Sequence, residues 1–140
     1  KSAVAMSALV QEWQQSRYSL PTEKQLDVSV NEGTLLAEAE TLKLALFNLL
    51  DNALRFANEN TAITVHVEAA GLTVTNIGPM IPDYALGRIT ERFYSLPAPD
   101  QEKSSGLGLA MVSEIASLHG GSLNVENTHQ GVQAKLVLPE

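Results

Sequence analysis

The sequence contains no cysteine among its 140 residues, which excludes disulfide bonds, thiolate metal sites and redox chemistry at sulfur. Aromatic residues are also scarce, at 5% of the chain, and nine lysines and arginines stand against sixteen acidic residues. With a formal net charge of -7, the chain shows no basic surface of the kind that binds a nucleic-acid backbone. We therefore expect no nucleic-acid partner.

Long apolar runs are absent as well. No run is long enough to span a bilayer, and the N-terminal stretch KSAVAMSALVQEW contains Ser, Gln and Glu where a signal peptide would stay apolar. We expect a soluble chain without direct membrane contact. The hydrophobic fraction of 44% suits a single domain over residues 1–140 with a continuous core. Because the sequence begins at Lys1 without an initiator methionine, we expect a fragment of a longer protein.

The periodicity of apolar residues predicts an α/β protein. Helical spacing favours helices over residues 3–17, 41–57 and 108–119, with Thr41 as the cap of the second one. Alternating residues predict strands over 25–30, 34–40, 63–69, 72–76, 122–127 and 132–138. Helices and hairpins over one mixed sheet predict a two-layer sandwich, with about three helices covering one face of the sheet.

The predicted central helix carries a narrow polar stripe. At about 100° per residue, Asn48, Asn52 and Arg55 fall within roughly 60° of one another, while the opposite side is apolar. Carboxamide oxygens suit a Mg²⁺ ion that shares its ligands with phosphates, and a guanidinium suits phosphate oxygens. The alternative is that both asparagines are solvated surface residues, which is the commoner meaning of such a pair taken alone.

Glycines precede the last predicted helix. In the segment SSGLGLAMVSEIASLHGG, Gly106 and Gly108 lie where free backbone N–H groups and the helix dipole favour a phosphate. A glycine-rich helix start is the equally plain alternative, with Gly120 and Gly121 ending the helix. A dinucleotide fingerprint is excluded by Met111, and a P-loop by the lack of a Gly-Lys-Ser/Thr sequence.

A second glycine segment, TNIGPMIP, ends a predicted strand. Gly78 has no side chain, so another group can approach its backbone closely. Asn76 can accept a hydrogen bond from the exocyclic amine of adenine and donate one to a ring nitrogen. An ordinary Asn-x-Gly turn is the alternative.

Taken in order, NLLDNALRF, NIGPMIP, ERFY and SGLGLAMV resemble the N, G1, F and G2 boxes of the ATP-binding catalytic domain of bacterial sensor histidine kinases, in the GHKL ATPase superfamily. The resemblance runs from about Leu36 to Pro139. It implies the Bergerat ATP-binding fold, with ATP and Mg²⁺ as cofactors. It also implies that Asn52 binds the metal and that Asn48 and Arg55 act on the phosphates in catalysis.

The same resemblance implies the rest of the nucleotide site. Around the base it places Phe56, Asn76, Gly78 and Ile81, and in the F box Arg92, Phe93 and Tyr94. In the lid hinge and phosphate loop it places Lys103, Ser104, Ser105, Gly106, Leu107, Gly108 and Leu109.

This sequence departs from the family pattern at several positions. Asn76 stands where the family commonly has Asp, so the charge-assisted part of the hydrogen bond to adenine is lost. Met80 and Ser104 replace glycines that are usual in the G1 and G2 boxes. Val132 stands where a Gly-Thr pair near the end of the family domain supplies a hydroxyl.

The resemblance also bears on the reaction. GHKL hydrolases place a Glu four residues before the magnesium Asn, and here that residue is Asn48, so we expect phosphoryl transfer to a protein histidine. His66, His119 and His129 lack the family's acceptor context. The implied acceptor therefore lies on a separate dimerisation domain of the same kinase, with a response regulator as an indirect partner.

Two alternatives stay open from the sequence: a degenerate nucleotide-binding module that acts through protein partners, and a GHKL ATP hydrolase. The resemblance places the chain in the cytoplasm, as the cytoplasmic portion of a membrane-bound sensor.

Overall fold

The computed structural model describes residues 2–17, 27–31, 33–58, 60–68, 70–91 and 108–139. The strands are β1 (Ser2–Ala5), β2 (Asp27–Val30), β3 (Thr34–Ala37), β4 (Ala62–Glu68), β5 (Gly71–Ile77), β6 (Ser122–Asn127) and β7 (Gly131–Val137). The helices are α1 (Met6–Arg17), α2 (Ala39–Phe56), α3 (Asp83–Leu86) and α4 (Gly108–Leu118). Within these ranges, no helix combines the length and the apolar character that crossing a membrane requires.

The main sheet has five strands in the order β2-β4-β5-β7-β6. The β2–β4 pair is parallel and the other pairs are antiparallel, so the sheet is mixed. Helix α2 contacts β5 and α4, α4 contacts β6, and α1 contacts β2. These contacts confirm the predicted α/β sandwich of helices over a mixed sheet.

The core lies between the helices and one face of this sheet. In β4, Ile63, Val65 and Val67 are buried, while the alternating residues Thr64 and His66 are exposed, as expected for a strand with one covered face. The apolar side of α2 fills the other half of this core with Leu42, Ala45, Leu46, Leu49, Leu50 and Ala53.

The predicted helix over residues 3–17 is wrong at its beginning. Ser2–Ala5 form strand β1, which pairs antiparallel with β3 from Ser2 opposite Ala37 to Ala5 opposite Thr34, and the helix begins only at Met6. The partner strand lies about thirty residues further along the chain, so its hydrogen bonds outweigh a helical preference that is judged from local spacing alone.

The predicted capping role of Thr41 is also wrong. Helix α2 begins one turn earlier, with Glu38 as its N-cap, and the Glu38 carboxylate accepts from the backbone N–H of Thr41 at 2.8 Å. The Thr41 hydroxyl donates to the same carboxylate. A carboxylate satisfies the free N–H groups of the first turn and also complements the helix dipole, which a hydroxyl at residue 41 could not do from within the helix.

Two side-chain contacts fix α1 against α2. The Trp13 indole Nε1 donates to Asp51 Oδ1 at 2.9 Å, and Lys43 Nζ forms an ion pair with Glu12 Oε1 at 2.6 Å. The hydrogen bond from Lys43 to Glu12 and the negative charge of Glu12 raise the pKa of Lys43. The contacts orient α2, and α2 carries the polar stripe.

The C-terminal end of α4 was predicted correctly. Gly120 has a φ of 75°, in the left-handed region that glycine adopts most easily, and the Gly121 N–H donates to the Ala116 carbonyl at 2.8 Å. His119 Nδ1 lies 2.8 Å from the Ile115 carbonyl. This contact gives His119 a structural role at the helix end.

Candidate functional site

The polar stripe of α2 lies at the edge of the core, where its side chains are half-buried. Asn48 Nδ2 donates to the Leu44 carbonyl one turn earlier at 2.8 Å. The Asn48 Oδ1 faces the start of α4, where a Cβ on Gly108 would lie 3.1 Å away. The structure thus brings the first residue of the stripe against the glycine that begins the last helix.

A cavity that opens to solvent lies beside the second residue of the stripe. Its walls come from α2, from β5 and β7, and from the segment that follows β5. The lining residues are Asn52, Phe56, Asn76, Ile81, Ile89 and Val132. Four of these six were predicted from the sequence to contact a nucleotide, whereas Ile89 and Val132 were not among the predicted binding residues.

Asn76 is the one polar residue that is buried in the described part of the chain, with 4% of its surface exposed. Strand β5 places it directly opposite Val132 of β7, which has no polar side-chain atom to offer. Its Nδ2 has no hydrogen-bond partner among the described residues. Since an unsatisfied buried donor costs about 1–3 kcal/mol, a ligand acceptor in the cavity would restore the lost free energy.

Asn127 holds one wall of the cavity in place. Its Oδ1 accepts from the Ile81 N–H and its Nδ2 donates to the Ile81 carbonyl, both at 2.8 Å. The carboxamide therefore pairs with the backbone of residue 81 as a neighbouring strand would. Sequence reasoning missed this contact because the two residues are 46 positions apart and an Asn at a strand end is an ordinary turn signal.

Arg55 and Phe56 end helix α2 as a stacked pair. The Arg55 Cζ lies 5.1 Å from the centre of the Phe56 ring, within the range of a cation–π interaction. Partial burial lowers the pKa of the Arg55 guanidinium, although an arginine stays charged near neutral pH. The stacking holds a positive charge next to the cavity that Phe56 lines.

The close approach at Gly78 involves the protein's own backbone. A Cβ on this residue would lie 2.3 Å from the Phe56 carbonyl oxygen, so glycine is needed where β5 passes the end of α2. The Asn58 N–H donates to the Ile77 carbonyl at 2.8 Å in the same place. Contact of Gly78 with a ligand stays a prediction.

The remaining predicted residues divide into two groups. Leu109 is 8% exposed and belongs to the hydrophobic core, so its side chain contacts protein. The second group lies outside the described residues and comprises Arg92, Phe93, Tyr94, Lys103, Ser104, Ser105, Gly106 and Leu107.

Carboxylates and imidazoles do not form a metal site in the described ranges, where no group of three or more His, Asp or Glu side chains converges. His66 lies on the exposed face of β4, 3.8 Å from Glu68, and His129 is exposed in the β6–β7 hairpin.

A mixed sheet covered by helices, with a cavity between the central helix and the middle strands, defines an α/β ligand-binding domain. The chain belongs to the family of histidine kinase-, DNA gyrase B- and HSP90-like ATPases, whose sequence profile matches residues 37–140. This match confirms the predicted resemblance to the GHKL superfamily and supports the use of ATP.

Known relatives agree with this assignment. The chain is 44% identical over 136 residues to the sensor protein CreC of Escherichia coli K12, and the match covers 93% of this chain and 29% of CreC. Solved structures of the mycobacterial sensor histidine kinase MprB and of the catalytic domain of the histidine kinase ThkA are 26% and 25% identical. Each matches with a TM-score of 0.76 over 99% of this chain and 96% of the other.

Proposed function

We propose that the chain binds Mg-ATP in the cavity beside α2 and transfers the γ-phosphoryl group to a histidine on a separate dimerisation domain of the same sensor kinase. The observation that carries the proposal is the buried Nδ2 of Asn76, which no described residue binds and which lies in the wall of a cavity that Asn52 and Phe56 also line. Membership in an ATPase family identifies ATP as the ligand to test.

The adenine base occupies the inner end of the cavity in this proposal. Asn76 hydrogen-bonds the edge of the base that carries the exocyclic amine, since a carboxamide offers one donor and one acceptor. Ile81, Ile89 and Val132 supply apolar contacts to the faces of the ring. Binding would thus satisfy the buried amide and cover apolar surface at once.

The residues of the stripe suit a magnesium-bridged triphosphate. Asn52 presents a neutral carboxamide at the cavity, and Mg²⁺ is commonly held by few protein oxygens together with phosphate oxygens and water. Bound magnesium would neutralise phosphate charge during transfer. Asn48 and Arg55 flank Asn52 along the helix and would contact the phosphates directly.

Transfer is favoured over hydrolysis by the chemistry of residue 48. An amide does not take up a proton near neutral pH, and the Asn48 Nδ2 is already engaged with the Leu44 carbonyl, so this side chain cannot activate water as a general base. A histidine acceptor needs little activation. We place the reaction in the cytoplasmic portion of a membrane-bound sensor, with a response regulator as the onward acceptor.

The test combines this chain with the histidine-bearing dimerisation domain of its parent kinase and γ-labelled ATP. The expected result is an acid-labile phosphate on that domain, dependent on magnesium and lost when its acceptor histidine is replaced by Gln. Release of free phosphate without labelled protein would instead indicate a hydrolase. Absence of nucleotide binding would indicate a degenerate module.

A further inference from the structure

We propose that the base pocket accepts 6-oxopurine nucleotides, such as ITP, nearly as well as ATP, because Asn76 can present either end of its amide to the base. The inference rests on the proposed function and concerns the selectivity of the same site. Its starting point is a buried amide whose Nδ2 no described residue binds.

No described neighbour donates to or accepts from the Nδ2 of this amide, so the described residues do not fix its orientation. The two ends of a carboxamide have nearly the same size and opposite hydrogen-bonding character, and a half-turn about the last side-chain torsion exchanges them. A bound neighbour would normally prevent this exchange. Opposite Asn76, however, β7 presents Val132, an aliphatic residue that cannot distinguish oxygen from nitrogen.

The two kinds of purine differ in the pattern that the amide must match. A 6-aminopurine presents a donor at position 6 and an acceptor at N1, whereas a 6-oxopurine presents an acceptor at position 6 and a donor at N1. A carboxamide can pair with the first pattern in one orientation and with the second after rotation. A carboxylate only accepts, so it pairs with the amine but opposes the 6-oxo group.

Among the described lining residues, no other side chain near Asn76 restores the distinction. Phe56, Ile81, Ile89 and Val132 carry no polar side-chain atom, and the other polar lining residue, Asn52, belongs to the helix stripe. The side-chain hydrogen bonds that could tell an amine from an oxo group therefore depend on Asn76. Because the last side-chain torsion of Asn76 can rotate, the pocket should discriminate only weakly between 6-amino and 6-oxo bases.

The experiment measures the affinities of the 140-residue chain for Mg-ATP and Mg-ITP by calorimetry. These nucleotides differ only at position 6 and in the N1 proton that follows from it, so their comparison avoids the extra amino group of guanine. We expect dissociation constants within about fivefold of each other, since the number of paired groups is the same. The native chain alone supplies this result, without any substitution.

The variant Asn76→Asp keeps the shape of the side chain and removes its donor. It should raise the ratio of the ITP and ATP dissociation constants by about tenfold or more, because a site with unmatched polar groups rejects the wrong ligand strongly. Asn124→Asp is the matched control, since Asn124 is exposed on β6 and the charge change is the same. The ratio of the ITP and ATP dissociation constants for Asn124→Asp should equal that of the native chain. Thermal melts verify that both variants are folded.

Each outcome decides between the two proposals. If ATP binds and ITP binds about a hundredfold more weakly or not at all, the inference is overturned while the proposed function stands. An unchanged ratio in a folded Asn76→Asp variant would overturn it as well. If neither nucleotide binds, the proposed function fails, and the inference fails with it.

Discussion

At the scale of single residues, the site is marked by close contacts and by one unsatisfied group. Asn76 Nδ2 has no partner in the part of the chain that the structure describes, where the core is otherwise apolar. Gly108 leaves just enough room for the Asn48 oxygen. Buried donors without partners are rare in folded proteins and need an explanation. A ligand edge that accepts a hydrogen bond supplies one.

Gly108→Ala tests whether the Asn48 position matters for binding. The added Cβ would lie 3.1 Å from Asn48 Oδ1, so the amide must shift by a few tenths of an ångström. We expect the affinity for Mg-ATP to fall about three- to tenfold, since small displacements of positioning groups are costly. The free energy of unfolding should change by less than about 1 kcal/mol, because alanine favours helix over glycine.

Gly87→Ala is the control for this substitution. Residue 87 has a φ of -77° and a Cβ there would meet nothing within 4 Å, so alanine should fit and raise stability by about 0.4–1 kcal/mol. Its nucleotide affinity should equal that of the native chain. Equal affinities for the Gly108 and Gly87 variants would contradict a role for Asn48 at the phosphates.

At the scale of secondary-structure elements, the cavity depends on strand ends that come from distant parts of the chain. Strand β5 supplies Asn76, β7 supplies Val132, and Asn127 at the end of β6 holds Ile81. The sheet order β5-β7-β6 makes these three strand ends neighbours. The pocket is therefore a product of the sheet's topology.

Asn127→Ala removes both hydrogen bonds to the Ile81 backbone. Each such bond contributes about 0.5–1.5 kcal/mol, so losing both should lower the free energy of unfolding by about 1–3 kcal/mol. The dissociation constant for ATP should rise about fivefold or more, because the loosened wall must be ordered again on binding. Chemical denaturation and calorimetry measure the two effects separately.

Two further variants sharpen this test. Asn127→Asp keeps the acceptor for the Ile81 N–H but places a carboxylate oxygen opposite the Ile81 carbonyl, so it should lower stability at least as much as the alanine variant. Asn124→Ala, three positions earlier on the same strand, should leave affinity unchanged. A loss of stability with unaltered affinity for Asn127→Ala would show that the contact serves the fold alone.

The Glu38 cap makes part of the stability of α2 depend on pH. Hydrogen bonds from the Thr41 hydroxyl and backbone lower the pKa of Glu38 below its ordinary value of 4.5. Because the pKa of Glu38 is lower in the folded state, the charged carboxylate stabilises the folded chain fully above pH 4.5. This stabilisation is lost as the pH falls through the pKa of Glu38 in the folded state. We expect Glu38→Gln to melt at a lower temperature than the native chain at pH 7, and the difference to shrink below pH 4.5.

Thermal melts across this pH range provide the measurement. Glu126→Gln removes the same charge from an exposed acid on strand β6 and serves as the control. A gap between native and Glu38→Gln melting temperatures that stays constant down to strongly acidic pH would contradict the assignment of Glu38 as a charged cap.

Local patterns predicted the elements whose signals are local. Helices α2 and α4, the β4–β5 hairpin and the β6–β7 hairpin were all predicted from spacing and turn residues. Strand β1 was missed because its partner β3 is distant in sequence. The cap was placed at Thr41 because the sequence does not show that Glu38 turns its carboxylate back onto the helix.

The same limit applies to the site: residues that belong to a local motif could be predicted, and residues brought together by strand pairing could not. The α2 stripe and Asn76 follow from periodicity and ordered motifs, and the structure brings Asn52, Phe56, Asn76 and Ile81 to one cavity. The roles of Asn127 and Val132 could not be predicted, since they arise from register across three strands. Such pairings become visible only when the sheet order is known.

At the scale of the whole molecule, the chain corresponds to one part of a larger protein in its relatives, since the match covers 29% of CreC. In the proposed function the chain contributes the nucleotide-binding cavity, the metal-binding carboxamide and the phosphate contacts. A second domain contributes the histidine nucleophile. Separating these parts means that nucleotide binding and transfer can be measured independently.

The most direct test of the central claim is a calorimetric titration of ATP into the native chain and into Asn52→Ala, each with and without Mg²⁺. We expect saturable binding to the native chain that is strengthened by magnesium. In Asn52→Ala we expect that magnesium no longer strengthens binding, while weaker contacts to the base persist. Equal strengthening by magnesium in both proteins would contradict a metal role for Asn52, and no binding to the native chain would contradict the nucleotide site as a whole.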